Sequence, residues 1–175
     1  ASETPRAQRR REFAAGRGVL KTEAAGLNQR QALAALGQAP MIALWQRLSE
    51  VPVAQVLLSH DDVRNRRRYL NARATLRELL RLKVLPVVNE NDTVAVDELK
   101  LGDNDNLAAV VAALVDADLL LIATDIQGLY SAHPINDPMA RPVPRVEAIT
   151  PAIACMAGDE AGGLGTGGMR TKLEA

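Results

Sequence analysis

Apolar residues along this chain occur in two patterns, helical spacing and short unbroken runs, and the two patterns succeed one another. Helical spacing predicts helices over residues 28–49, 66–82 and 107–115. Unbroken β-type runs predict strands over residues 51–58, 84–88 and 119–123. Strands without polar alternation are buried on both faces, so the pattern predicts an α/β protein with a parallel sheet covered by helices.

Local signals refine these elements. Gly37 and Pro40 interrupt the first helix, which predicts either two helices or one bent helix. Asp105 or Asn106 is expected to cap the third helix. That helix connects the second and third predicted strands, so the three elements should form a crossover unit, right-handed by default. The proline-rich stretch after Tyr130 predicts a surface flap or hairpin.

Composition narrows the class of protein. The 175 residues are 47% hydrophobic and 24% charged, with 21 basic and 21 acidic side chains. This balance gives no overall field to attract nucleic acid or an anionic membrane, so a small-molecule ligand is favoured. The single cysteine, Cys155, and the lack of a long apolar run favour a cytoplasmic protein without a membrane span. The basic run at residues 9–11 lacks interleaved aromatic residues, and we read it as part of a solvated arm.

Three polar clusters lie at strand or crossover ends. They are Asn-Glu-Asn-Asp at residues 89–92, Gly-Asp-Asn-Asp-Asn at residues 102–106 and Thr-Asp at residues 124–125. Each cluster alone is typical of a turn or a helix cap. Ligands of open α/β sheets bind beyond the carboxyl ends of parallel strands, so the three clusters together predict one site there.

A glycine-rich run at residues 162–168 precedes Lys172 by about one helical turn. Converging backbone N–H groups and a following helix suit a phosphate, and the lysine ammonium can reach the same anion. The run lacks the adjacent Gly-Lys pair of a P-loop. It matches the dinucleotide-binding string, but no predicted strand precedes it and no acidic residue follows at the required distance. Acidic clusters together with a phosphate cradle therefore predict a small-molecule kinase.

In order and spacing, these motifs resemble the glutamate 5-kinases of the amino-acid kinase family. The resemblance rests on the three polar clusters, on Gly-Leu-Tyr at 128–130, on Gly-Thr-Gly-Gly-Met-x-Thr-Lys at 165–172 and on Tyr-Leu-Asn-Ala-Arg at 69–73. It covers residues 14–175 as a partial kinase domain and leaves residues 1–13 as an unmatched basic arm. It implies a three-layer α/β/α sandwich with a mainly parallel sheet.

The resemblance also implies an activity, the ATP-dependent and Mg²⁺-dependent phosphorylation of the L-glutamate γ-carboxylate in proline biosynthesis. Asp92 and Asn104 are similar to glutamate contacts, and Asp105 and Lys172 to catalytic residues. The implied nucleotide contacts are Thr124, Asp125, Thr166, Gly167, Gly168, Met169 and Lys172, and no residue is implied as a metal ligand. Relatives are inhibited by proline and form homo-oligomers, without nucleic acid or membrane as partners.

The chain departs from this family pattern at both ends. The Lys-x-Gly-Ser/Thr loop and the Ser-Gly strand of the family are absent before residue 14, and further strands are absent after Ala175. Loss of one of two phosphate-side lysines removes transition-state stabilisation, so we expect this chain alone to be weakly active or inactive. Two alternatives stay open, a non-catalytic fragment that binds nucleotide, glutamate or proline, and a sibling kinase acting on another substrate.

Overall fold

The computed structural model describes residues 26–94, 104–124, 127–132, 136–157 and 168–175. Its helices and strands, in chain order, are α1 (Leu27–Leu48), β1 (Val53–Leu58), α2 (His60–Arg64), α3 (Arg66–Arg81), β2 (Leu85–Glu90), α4 (Asn104–Val115), α5 (Pro151–Met156) and α6 (Met169–Glu174). The basic arm predicted at residues 1–13 lies outside these ranges, so its boundary with the domain stays a prediction.

The sheet is built from β1 and β2, which pair in parallel from Val53 opposite Leu85 to Leu58 opposite Glu90. Parallel neighbours require a crossover connection, and α2 and α3 supply it. The parallel pairing predicted from the unbroken apolar runs is confirmed for these two strands. Their carboxyl ends lie side by side, at what we call the carboxyl edge of the sheet.

Helices cover both faces of this sheet. On one face, Leu58 packs with Leu76 of α3 and with Leu107 and Leu114 of α4, and Val56 and Val88 pack against this cluster. On the opposite face, Gln55 Nε2 donates to Gln38 Oε1 of α1 at 2.7 Å. Side chains alternate between the faces of a strand, so α1 and the α3–α4 pair lie in different layers. The three-layer α/β/α class is confirmed.

Helix α3 shows why its sequence is helical despite its many arginines. Tyr69, Ala72 and the fully buried Leu76 recur at helical spacing and meet the core, while most of the arginines are exposed. The Asn65 side chain caps the helix by accepting from the Arg67 and Arg68 N–H groups at 3.1 and 3.2 Å. The helix predicted over residues 66–82 is therefore confirmed.

Helix α1 is one helix of 22 residues, with Gly37 and Pro40 inside it. Proline lacks the N–H that a helix interior uses, so Pro40 removes one backbone hydrogen bond. Burial of Leu33 and Met41 on either side of the proline holds the two halves in one element. Of the two alternatives predicted for this segment, the structure has the single helix.

Two predicted features of the chain differ in the structure. Residues 119–123 form no strand, and Leu119 and Leu121 are 72% and 73% exposed. A strand needs a ladder partner for its N–H and C=O groups, and among the described residues β1 and β2 pair only with each other. Helix α4 begins at Asn104, so Asp105 and Asn106 lie in its first turn and not at its cap.

The chain after Tyr130 turns back on itself, as predicted for a hairpin. Tyr130 and Pro142 form an antiparallel bridge, and the Ser131 N–H donates to the Arg141 carbonyl at 2.8 Å. Helix α5 follows and was not predicted, although Thr150 accepts from the Ile153 N–H at 3.3 Å and Pro151 occupies the first turn. Threonine followed by proline is a recognised helix start.

Beyond the carboxyl end of α4, Asp116 ties this helix to α3. Arg73 Nη2 lies 2.7 Å from Asp116 Oδ2, and Arg77 forms a second ion pair with the same carboxylate. The hydrogen bond from Arg73, reinforced by the charges of Arg73 and Arg77, holds the pKa of Asp116 below its ordinary value against a smaller opposing effect of desolvation. The carboxylate therefore stays ionised and keeps both arginines on the α4 side of α3.

Candidate functional site

The carboxyl edge of the sheet collects polar groups from several elements. The Asn91 N–H donates to the Leu58 carbonyl at 2.8 Å, which keeps the two strand ends together. The chain continues from β2 into Asp92 and from β1 into Ser59, the residue before α2. This is the place where ligands bind in open parallel sheets.

A pair of buried amides joins β2 to the first turn of α4. Asn104 Nδ2 donates to Asn89 Oδ1 at 3.3 Å, and Asn89 is 1% exposed. Glu90, the next residue of β2, is fully buried. Burial of Asn89 and Glu90 at the strand end, and of Asn104 beside them, has a desolvation cost that hydrogen bonds must offset. The amide contact therefore brings the residues 89–92 cluster and residues 104–106 of the second cluster to one place.

The next residue of α4 forms an ion pair with α6. Lys172 Nζ lies 2.6 Å from Asp105 Oδ2, and the two side chains are 20% and 9% exposed. Residues far apart in the sequence thus meet at the amino end of α4, because α6 packs against α4 there. The Thr171 hydroxyl donates to the Gly168 carbonyl at 2.8 Å, which closes the first turn of α6.

The ion pair between Asp105 and Lys172 places two opposite charges in largely buried positions. A largely buried ion pair loses much of its Coulomb gain to desolvation, so it is weak as a device for stability. A lysine ammonium has three donors, and the contact with Asp105 occupies one of them. The arrangement therefore presents an oriented cation beside the strand ends, where an anion can complete its hydrogen bonding.

The other predicted site residues lie on three described segments or outside the described residues. Asp92 is half-buried three residues beyond Asn89, and its N–H donates to the Glu90 carbonyl at 3.0 Å. Thr124 is half-buried on a separate segment, directly after residues 119–123. Gly168 and Met169 lie at the start of α6. Asp125, Thr166 and Gly167 lie outside the described residues.

Asn89 belongs to a cluster predicted for the site, but no role of its own was predicted for it there. It was expected to lie with its neighbours in a polar loop after the strand, but it lies inside β2 and contacts Asn104. The available signal was an amide directly after an unbroken apolar run. A buried amide in a strand needs a side-chain partner, which makes it a candidate for a site.

The segment after β1 forms the other wall of the carboxyl edge. The Ser59 N–H and hydroxyl donate to Asp62 Oδ2 at 2.7 and 2.6 Å, and Arg68 pairs with Asp62 Oδ1 at 3.2 Å. Burial acts to raise the pKa of Asp62, but the Ser59 hydrogen bonds and the Arg68 charge outweigh it, so the pKa is lowered. Asp62 is thus an ionised anchor that fixes the turn between β1 and α3.

No group of three or more histidine, cysteine, aspartate or glutamate side chains in the described ranges is arranged to hold a metal ion. Across the same ranges, no helix has the length and apolar content to cross a membrane.

A three-layer α/β/α domain with amides and a paired lysine at its carboxyl edge has the layout of a phosphotransferase. The amino acid kinase family model matches residues 3–175, and the chain belongs to that family.

Curated relatives narrow the comparison. The chain is 70% identical over 165 residues to the glutamate 5-kinase of Xanthomonas euvesicatoria pv. vesicatoria (strain 85-10), covering 93% of this chain and 46% of the relative. It is 67% identical over 165 residues to the glutamate 5-kinase of Xylella fastidiosa (strain 9a5c), covering 93% of this chain and 43% of the relative. The chain thus spans about half the length of these relatives.

Proposed function

We propose that this protein phosphorylates the γ-carboxylate of L-glutamate with ATP, giving γ-glutamyl phosphate, the first step of proline biosynthesis. The observation that carries the proposal is the Lys172–Asp105 ion pair beside the buried Asn89–Asn104 contact. It puts a cation suited to phosphate next to amides suited to a carboxylate. Membership of the amino acid kinase family and the names of the relatives support the same reaction.

On the phosphate side, Lys172 would neutralise the charge that spreads over the transferring phosphoryl group. Positioning and charge stabilisation are the main tasks in phosphoryl transfer. Asp105 would orient the lysine ammonium and not act as a base, because a carboxylate nucleophile has no proton to remove. The nucleotide would lie against Thr124 and Asp125, with its phosphates along Thr166, Gly167, Gly168 and Met169.

On the glutamate side, Asp92 and Asn104 would hold the substrate. The Asp92 carboxylate suits the substrate ammonium, and the Asn104 amide suits a substrate carboxylate. Asn104 is already fixed by Asn89 at 3.3 Å, so its amide is oriented before glutamate arrives. Holding both reactants in place turns a bimolecular step into an effectively unimolecular one.

Further properties are proposed from the resemblance to the family. Mg²⁺ would be bound together with the nucleotide and would supply positive charge at its phosphates. Proline would inhibit at the glutamate site, the protein would form homo-oligomers, and it would act in the cytoplasm. Each of these properties depends on the proposed reaction, but each is a separate proposal.

The test is glutamate-dependent release of ADP from Mg-ATP, with hydroxylamine trapping of the acyl phosphate, and the turnover of this chain alone should be weak. Lys172→Met should lower kcat by about 10²- to 10³-fold, as expected for removing a group that stabilises the transition state. Arg170→Gln is the matched control, because Arg170 lies on the same helix but is exposed and pairs with Glu174 at 3.1 Å. It should keep wild-type turnover.

Substrate choice decides between this reaction and its relatives. Replacing glutamate by acetylglutamate or carbamate should abolish turnover, and added proline should compete with glutamate. Neither turnover nor binding of Mg-ATP by a folded wild-type protein would contradict the proposed function. Binding of ATP and glutamate without any turnover would assign a binding role in its place.

A further inference from the structure

Positive charge is distributed unevenly in this chain. The whole sequence is neutral, with 21 basic and 21 acidic residues, but residues 59–83 hold eight arginines and lysines against three acidic residues. This stretch contains α2 and α3, which lead away from the carboxyl end of β1. The excess charge is therefore local to the crossover between the two strands.

Most arginines along α3 have ion-pair partners. Arg68 pairs with Asp62, Arg73 and Arg77 with Asp116, and Arg81 with Glu78 at 2.6 Å. Three exposed arginines at the junction of α2 and α3 have no ion pair in the described part of the chain: Arg64, Arg66 and Arg67. We call these three residues the arginine cluster.

Arg66 and Arg67 do not serve the helix that carries them, whereas Arg64 lies in the last turn of α2, where a cation is favourable. The amino end of a helix carries partial positive charge, and cations there are unfavourable. The first turn of α3 contains no acidic residue to offset them. The cap is made by Asn65 to backbone N–H groups, so it needs none of the arginine side chains.

The arginine cluster lies on the same side of the molecule as the carboxyl edge. Helix α2 starts two residues after β1 ends, and α3 follows it directly. The strand end at Leu58 is opposite Glu90, and the Asn91 N–H bonds to Leu58 at 2.8 Å. The unpaired cations thus lie at the same edge of the sheet as Asn104, Asp105 and Lys172.

We propose that the arginine cluster is an electrostatic guide that draws the nucleoside triphosphate to the carboxyl edge. This inference rests on the proposed function, which requires ATP to arrive at an edge whose own carboxylates repel it. Unpaired surface charge near a site raises the association rate of an oppositely charged ligand. Such guidance acts on encounter and leaves the bound contacts unchanged, so dissociation is unaffected.

The surroundings of the arginine cluster favour a small polyanion over a nucleic acid. Binding to single-stranded nucleic acid uses exposed aromatic rings for stacking between the cations. Tyr69 is the one aromatic residue in residues 59–83, and it packs against the hydrophobic core. The cluster therefore offers charge without a stacking surface.

The test is stopped-flow association of ATP carrying a fluorescent label on the ribose. The double variant Arg66→Gln/Arg67→Gln removes two charges of the cluster and keeps good helix formers. Its association rate should fall about three- to tenfold at low ionic strength and approach the wild-type rate near 0.5 M salt. Its dissociation rate should match the wild type at every salt concentration.

The matched control is Arg47→Gln/Lys83→Gln, which removes the same charge from positions near the amino ends of β1 and β2. It should change the association rate less than twofold. The proposal that the arginine cluster guides ATP would be overturned if the association rate fell equally in both double variants. It would also be overturned if the rate did not fall in the cluster variant while the wild type binds ATP. Either result would leave the proposed function intact. A wild type that binds no ATP overturns both. Cluster-dependent binding of a mixed-sequence RNA in place of ATP would also overturn the guide.

Discussion

The two ends of α4 carry aspartates with the same kind of partner in opposite settings. At the amino end, Asp105 pairs with Lys172 at 2.6 Å, and both side chains are largely buried. At the carboxyl end, Asp116 pairs with Arg73 at 2.7 Å and with Arg77, and about half of its side chain is exposed. One end faces the carboxyl edge of the sheet, and the other faces solvent.

The difference shows what each ion pair contributes. An exposed ion pair gains little because water screens it, but it involves little desolvation and can hold two helices in register. A buried pair is poor as a source of stability, yet it fixes a charge in low dielectric, where a ligand feels it strongly. The exposed end of α4 is therefore structural, and under the proposed function the buried end holds the Lys172 charge for a phosphate.

The largest expected effect is on stability at the buried end. Asp105→Asn leaves the Lys172 ammonium without its counter-charge and should lower the free energy of unfolding by about 3 kcal/mol, near the low end for breaking buried pairs. The low end applies because Lys172 keeps 20% of its side chain in water. Urea unfolding followed by circular dichroism measures this. If Asp105→Asn lowers the free energy of unfolding no more than Asp116→Asn does, the contrast between the buried and the exposed ion pair is wrong.

A smaller effect is expected at the exposed end. Asp116→Asn should lower stability several-fold less than Asp105→Asn, because solvent already screens the pairs with Arg73 and Arg77. Asp116 has a φ of 53°, a left-handed backbone that asparagine also tolerates, so the substitution removes charge without adding strain. In about 0.5 M salt the difference from wild type should nearly vanish. A loss that salt leaves unchanged would show that Asp116 is not acting through charge.

The smallest effect concerns pH. The pKa of Asp116 is lowered in the folded protein, chiefly by its hydrogen bond to Arg73. A lowered folded pKa gives stability that is complete above the unfolded value near pH 4 and is lost as pH falls through the folded value. Wild type should therefore exceed Asp116→Asn in stability at pH 6, and the gap should close on acidification below about pH 4. A stability difference that widens at low pH would contradict a lowered pKa for Asp116.

Sequence patterns predicted the parallel pair β1 and β2, the helix α3 and the residues at the carboxyl edge. These predictions rest on local signals, namely unbroken apolar runs and polar residues directly after them. Residues 119–123 show the limit of that reasoning. Their apolar run meets the local criteria for a strand, but a strand exists only where a neighbour supplies hydrogen bonds, and periodicity carries no information about neighbours.

The candidate site also combines residues that sequence motifs predicted with contacts that they did not. The residue types at Asn104, Asp105 and Lys172 could be read from motifs, because each lies in a distinctive string. The contact between Asp105 and Lys172 depends on α6 packing against α4, which no local pattern encodes. No individual role was predicted for Asn89 for a related reason, since its amide is assigned to the site by its contact with Asn104 and not by its position in the strand.

The most direct test of the central claim is a double-mutant cycle on ATP binding, measured by calorimetry. We expect Lys172→Met to weaken Mg-ATP binding at least about tenfold, because the substitution removes one hydrogen bond from a charged group. Asp105→Asn should weaken binding less, because it disorders the lysine and removes no phosphate contact, and it should add nothing in the Lys172→Met background. Wild-type affinity in a folded Lys172→Met protein, or fully additive effects of the two substitutions, would contradict the claim that this ion pair holds the phosphate-binding charge.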